Sequence, residues 1–171
     1  MQYNSLHEDF LGRLRNIHQL VRQGRVLLEE VAARWHKADT LLDSNWRALG
    51  EAALARAKRE LDGRTVQCGV THGDFVPWNT RVDGGRLFVF DWESASWEAP
   101  GGWDEFHFYT QVASLLRNNA LHLLLDRWSG QRASFLLYLL SSVCSLLDED
   151  VPAAHAEIMC RQSMLAEQLV S

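Results

Sequence analysis

A glycine-rich turn, Asp83-Gly84-Gly85, limits what this chain can fold into more than any other stretch does. Two short apolar runs lie on either side of it, Val66 to Val70 and Arg86 to Phe90, and both read as strands. Glycine takes positive φ without steric cost, so the turn between them predicts a β-hairpin. Folding the chain about Gly84-Gly85 brings Asn79 to within a residue or two of Asp91 on the opposite strand. An amide oxygen and a carboxylate then stand side by side at one end of the hairpin. That pair suits Mg²⁺, which keeps several waters and draws its other ligands from phosphate. Asp74 lies in the loop just before the hairpin, at the same end. A carboxylate there can accept the proton of a hydroxyl that attacks a γ-phosphorus.

The full stretch from residue 71 to 91 is T-H-G-D-F-V-P-W-N-T-R-V-D-G-G-R-L-F-V-F-D. The spacing H-x-D-x-x-x-x-N arises by chance roughly 0.02 times in a chain of this composition, so coincidence is a poor account of it. H-G-D-F-V-P-W-N followed by F-V-F-D-W-E-S-A resembles the catalytic core of the aminoglycoside phosphotransferase and choline kinase group, relatives of the protein kinases. The resemblance is strong over residues 66 to 109 and compatible over the flanking helices. It implies that Asp74 is the catalytic aspartate, that Asn79 and Asp91 are Mg²⁺ ligands, and that ATP is the phosphoryl donor to a small-molecule alcohol. It further implies that His72 is structural, packing the catalytic loop onto the core. Asp104, in G-G-W-D-E-F, would brace that loop through its backbone.

Kinases of this type have two lobes, and the N-terminal lobe brings a phosphate-covering loop, a strand lysine and a helix glutamate paired to it. The eleven glycines here form no G-x-G-x-x-G, and the only lysines, Lys37 and Lys58, lie in helix-patterned segments. The sequence therefore reads as the C-terminal lobe with the N-terminal lobe absent. Little or no kinase activity is expected of it alone. The alternative is a non-catalytic, kinase-like scaffold or interaction module. In either case the face around Trp78, Val89 and Trp92 is expected to carry exposed apolar surface, covered by a second copy, a separately encoded lobe or an upstream segment.

At 171 residues, with 47% hydrophobic and 23% charged residues, the chain is expected to form one globular domain. A net charge of −5 argues against general nucleic-acid binding. Cys68, Cys144 and Cys160 are widely spaced and form no C-x-x-C pair, which reads as reduced, cytoplasmic thiols. No signal peptide or membrane-length apolar run is evident.

The expected class is α+β and mostly helical: a helical segment over 1–62, the catalytic loop and hairpin over 66–91, and a helical segment over 103–171. Leu6, Phe10, Leu14, Ile17 and Val21 form a helical stripe that Gly24 ends or bends, and Leu28, Val31 and Trp35 continue it to about Lys37. A second helix is expected from about Asp39 to Leu61, with Leu42, Trp46, Leu49 and Ala53 on one face and Asp62-Gly63 as its stop. Residues 92–102 read as a loop. Helices follow at about 104–118, 120–128 and 131–147, and a last one starts near Pro152. Trp78, Trp92, Trp97 and Trp103 read mainly as packing residues, and Glu93, Glu98 and Glu105 as either a cation-binding or a solvated face.

Overall fold

The structure is a computed structural model that describes residues 3–116, 128–149 and 152–170. It is a mostly helical α+β arrangement with two small sheets. The helix expected at 120–128 lies almost entirely outside the described residues. The chain divides into two compact units, one from residues 1–22 with 66–112 and the other from residues 23–65 with 113–171.

The first unit opens with α1 (Ser5–Arg15). The side chain of Asn4 accepts the Leu6 N–H at 3.1 Å, and the Asn4 N–H donates to His7 Nδ1 at 3.2 Å, which satisfies donors that a helix start leaves free. Arg13 and Arg15 in the last turn complement the negative end of the helix dipole. The helix stops there. Ile17 and Val21, expected on the helical stripe, are instead 64% and 56% exposed. Residues Gln19–Gln23 form strand β1, with Leu20 and Arg22 facing inward. The run satisfies both the helical and the alternating spacing, and the β-branched residues favour the extended form.

Strand β2 (Thr65–Thr71) is where the first apolar run predicted it. Its partners differ from a simple hairpin. It lies between β1 and β5 (Ser96–Pro100), pairing antiparallel with β5 through Cys68↔Pro100, Gly69↔Ala99 and Thr71↔Ser96. Residues 96–100 were expected in a loop. Pro100 removes one ladder donor, but it sits at the last position of an edge strand, where that loss is tolerated. The hairpin itself joins β3 (Thr80–Asp83) to β4 (Arg86–Val89), in register from Thr80↔Val89 to Asp83↔Arg86. Gly84 and Gly85 take φ of 53° and 74°, as a two-residue turn of this hand requires.

Leu11, Leu14, Val70, Phe75 and Phe108 form the core of this unit, and Leu87 and Val89 cover it from the inner face of the hairpin. Phe108 comes from α4 (Trp103–Leu116). His7 is fully buried in the same cluster, with ring centroids 5.3 Å from Tyr3 and 5.4 Å from Phe108. Burial pushes its pKa below the ordinary 6.5, so the folded state favours neutral imidazole. The sign follows directly. Stability is fully present above the unfolded-state pKa of about 6.5 and is lost as pH falls below it, because the unfolded chain takes up the proton first. Urea unfolding between about pH 7 and pH 5 should show the midpoint falling, and His7→Asn, which cannot titrate, should flatten that slope.

In the second unit, α2 (Gly24–Ala38), α3 (Ser44–Leu61), α5 (Arg132–Glu149) and α6 (Pro152–Val170) pack together as a helical cluster. Asp43 caps α3 by accepting the Trp46 N–H at 2.9 Å. Trp35, Ala53, Ala57, Leu136, Leu140 and Leu165 are fully buried there. Arg161, 1% exposed, is satisfied by Ser142 Oγ at 2.9 Å and by Glu157. Lys37 and Lys58 lie on α2 and α3. No helix among the described residues is long and apolar enough to cross a membrane. None of the three cysteines is in a disulfide.

Candidate active site

Strand β2 ends at Thr71 and delivers His72, Gly73 and Asp74 to the rim of the first unit. Asp104, in the first turn of α4, is 5% exposed and reaches this loop. Its Oδ2 accepts the His72 N–H at 2.8 Å and its Oδ1 accepts the Gly73 N–H at 2.9 Å. One carboxylate thus satisfies two consecutive backbone donors that no strand or helix pairs. Burial pushes the Asp104 carboxyl above its ordinary range, against the downward pull of those two donors.

His72 is fully buried. Its Nε2 lies 2.8 Å from the Phe90 carbonyl oxygen, so Nε2 carries the proton. Nδ1 is then bare and accepts the Asp74 N–H at 3.2 Å. The imidazole ties the loop to the end of β4 and has no nitrogen left for proton transfer. Trp92 packs on it with ring centroids 4.6 Å apart.

Asp74 is half-buried, with 37% of its side chain accessible. Its Oδ2 accepts from Asn79 Nδ2 at 2.7 Å, and Asn79 Nδ2 also donates to the Asp74 carbonyl oxygen at 3.1 Å. Two acceptors on one side leave no choice about which way the Asn79 amide points: the nitrogen faces Asp74 and Oδ1 faces away. Asn79 ends a short turn, Pro77–Asn79, and its carbonyl oxygen accepts the Phe90 N–H at 2.9 Å, which continues the hairpin ladder. Asp91 is therefore one residue past Asn79's ladder partner, within the span that folding about Gly84-Gly85 predicts. It is exposed, with φ of 63°. Positive φ is uncommon outside glycine, although Asp tolerates it better than most residues, and such positions cluster at functional sites.

His107 is a member of this group that the sequence reading missed. Its side chain is 15% exposed, and Nε2 lies 2.9 Å from Asp74 Oδ1. The available signal was its position three residues after Asp104, which places both on one face of α4. The His107 hydrogen bond is the largest influence on Asp74 and holds its carboxyl below the ordinary range, opposed by partial burial and helped by Asn79.

Among the described residues no three His, Cys, Asp or Glu side chains stand close enough to hold a metal. The outward-turned amide oxygen of Asn79 and the exposed Asp91, one residue past its ladder partner, are hard oxygen donors of the kind that suits Mg²⁺ better than a softer ion. Mg²⁺ is usually held by one or two protein oxygens, with phosphate and water completing its shell. The other tryptophans are divided: Trp78, Trp92 and Trp97 are 56%, 41% and 65% exposed, whereas Trp103 has its indole nitrogen buried.

No curated protein and no solved structure matches the chain. A family model does, over residues 2–101, a span that takes in His72, Asp74, Asn79 and Asp91 and stops short of Asp104 and His107. With the matched span covering more than half of the sequence, the chain belongs to the phosphotransferase enzyme family (APH).

Proposed function

We propose that this site supports ATP- and Mg²⁺-dependent transfer of a phosphoryl group to the hydroxyl of a small molecule. The observation that carries this reading is the pairing of Asp74 with Asn79. The Asn79 nitrogen orients the carboxylate that would receive a hydroxyl, and its oxygen is turned outward on the side chain next to the Asp91 end of the hairpin. Asn79 and Asp91 would hold the metal. When bound, the metal neutralises charge on the phosphate being transferred. Asp74 accepts a hydrogen bond from the acceptor hydroxyl and aligns its oxygen with the γ-phosphorus. With its proton affinity held down, Asp74 is a weak base. It contributes mainly orientation, and takes the proton late as the new P–O bond forms and the nucleotide diphosphate leaves.

In this reading the chain corresponds to the C-terminal lobe of a two-lobed kinase-like enzyme. The sequence contains no glycine-rich phosphate loop, and both of its lysines are on helices. Nothing here reproduces the strand lysine that grips the α- and β-phosphates. The 171-residue chain alone should therefore bind nucleotide weakly and turn over little or none. Exposed Trp78, Phe88, Phe90 and Trp92, beside the proposed metal ligands, form the surface that a nucleotide-covering partner would contact.

Calorimetric titration of the full chain with ATP at millimolar concentration, with and without Mg²⁺, tests the reading. Binding that requires Mg²⁺ and disappears in Asp91→Ala is the expected result. Nucleotide binding that ignores Mg²⁺, or none at all, would favour the non-catalytic scaffold.

A further inference from the structure

Asp74 has two carboxylate oxygens, and each has its own donor: Asn79 Nδ2 on Oδ2 at 2.7 Å and His107 Nε2 on Oδ1 at 2.9 Å. The terminal torsion of an aspartate is broad and roughly two-fold, so a single donor leaves the carboxylate plane free to swing. Two donors on opposite oxygens fix that plane. The donors come from separate parts of the chain. Asn79 is on the turn before β3, whereas His107 is on α4, one helical turn beyond Asp104. Asp104 already fastens that helix to the N–H groups of His72 and Gly73. The helix therefore holds the loop at two points: the backbone just before Asp74, and the Asp74 side chain itself.

We propose that His107 is a positioning residue that sets the orientation of the Asp74 carboxylate through Oδ1, independently of Asn79. That this orientation serves an incoming alcohol rests on the phosphotransfer reading; the clamp itself does not. Asn79 carries two duties in that reading, because its amide must hold Asp74 with nitrogen and a metal with oxygen. Any adjustment of Asn79 toward a cation would pull on Oδ2. A second anchor on a helix keeps the carboxylate in place while that happens. Each carboxylate oxygen keeps a further lone pair for an incoming hydroxyl, and 37% of the side chain stays accessible to one.

The alternative is that His107 merely satisfies its own half-buried nitrogen on the nearest carboxylate. Its loss would then leave the rest of the site unmoved. Nuclear magnetic resonance on the labelled full chain separates the two, with the side-chain NH₂ of Asn79 as reporter. His107→Leu removes the donor, and His107→Gln returns an N–H at a similar reach. The expected result in the Leu variant is a shift of the Asn79 NH₂ signals and exchange with solvent faster by about tenfold, with recovery in the Gln variant. Unchanged Asn79 signals in the Leu variant, or no recovery in a folded Gln variant, would overturn the proposal. Should the Leu variant fail to fold, Asp74→Ala decides. The His107 Nε2 proton should be slowly exchanging in the natural chain and lose that protection in this variant; retained protection contradicts the clamp. A parallel ATP–Mg²⁺ titration keeps the two ideas apart. Absent nucleotide binding with the clamp signature intact removes only the phosphotransfer reading. Nucleotide binding with the signature missing removes only the clamp.

Discussion

Asp104→Ala should unfold the His72–Asp74 loop before it affects anything else. The substitution leaves the N–H groups of His72 and Gly73 without an acceptor in a place where the carboxylate is 5% exposed. An orphaned buried donor such as the His72 N–H costs about 1–3 kcal/mol, and losing the bond of the more exposed Gly73 N–H, which can turn to water, adds about 0.5–1.5 kcal/mol. Relief from burying a charge offsets part of this, because burial already pushes the Asp104 carboxyl up. A net loss of about 1–4 kcal/mol is expected, a large share of the roughly 5–15 kcal/mol that holds a domain together. Asp104→Asn should be a poor repair. An amide has one acceptor oxygen for two donors and turns its own NH₂ toward the second. Denaturant midpoints should fall for both variants, and amide exchange at His72 and Gly73 should speed up more than exchange elsewhere. A midpoint within experimental error of the natural chain for Asp104→Ala would show that the brace is not needed.

Gly73→Ala attacks the same loop from the opposite side and should cost as much. Gly73 has φ of 83°, and a Cβ built on it would overlap the Ser94 carbonyl oxygen and lie 2.8 Å from the Ser94 carbonyl carbon. The obstacle is main chain, which no rotamer change can move aside. The left-handed backbone alone costs an L-residue about 1–2 kcal/mol, and overpacking adds about 1–3 kcal/mol. We expect a loss of about 2–5 kcal/mol, visible as a lower unfolding midpoint and deprotection of the segment around Asp74. Since Gly73 is also one of the two donors to Asp104, the double variant should lose less than the sum of the single ones. Strict additivity would mean that the two residues do not hold one structure.

The hairpin was legible because its signals are local. Gly84-Gly85 fixes the turn, and the turn fixes which residues face each other from Thr80 to Val89. The adjacency of Asn79 to the Asp91 end follows from that register alone. β1 and β5 were not legible. Val21 carries helical spacing as well as strand propensity, and only the pairing of its strand with β2, remote in sequence, decides between them. Pro100-Gly101-Gly102 advertises a loop, while the preceding residues form an edge strand with little hydrophobic alternation to mark it. The role of β2 was half legible: its span was right, but its neighbours come from distant segments. Asp104 was found through a motif. His107 lay one helical turn further on, where spacing put it on the correct face but nothing in the sequence says that the face looks at Asp74.

We propose Asn79 and Asp91, joined by one hairpin register beside Asp74, as the place where a divalent ion meets a nucleotide phosphate. The nucleotide titration repeated with Mn²⁺, read residue by residue through paramagnetic broadening in the labelled full chain, tests it most directly. The expected result is that the Asn79 and Asp91 signals fade first, with Asp74 close behind, and that the effect vanishes in Asp91→Ala. Broadening centred on other residues, with Asn79 and Asp91 untouched in the presence of ATP, would contradict the claim.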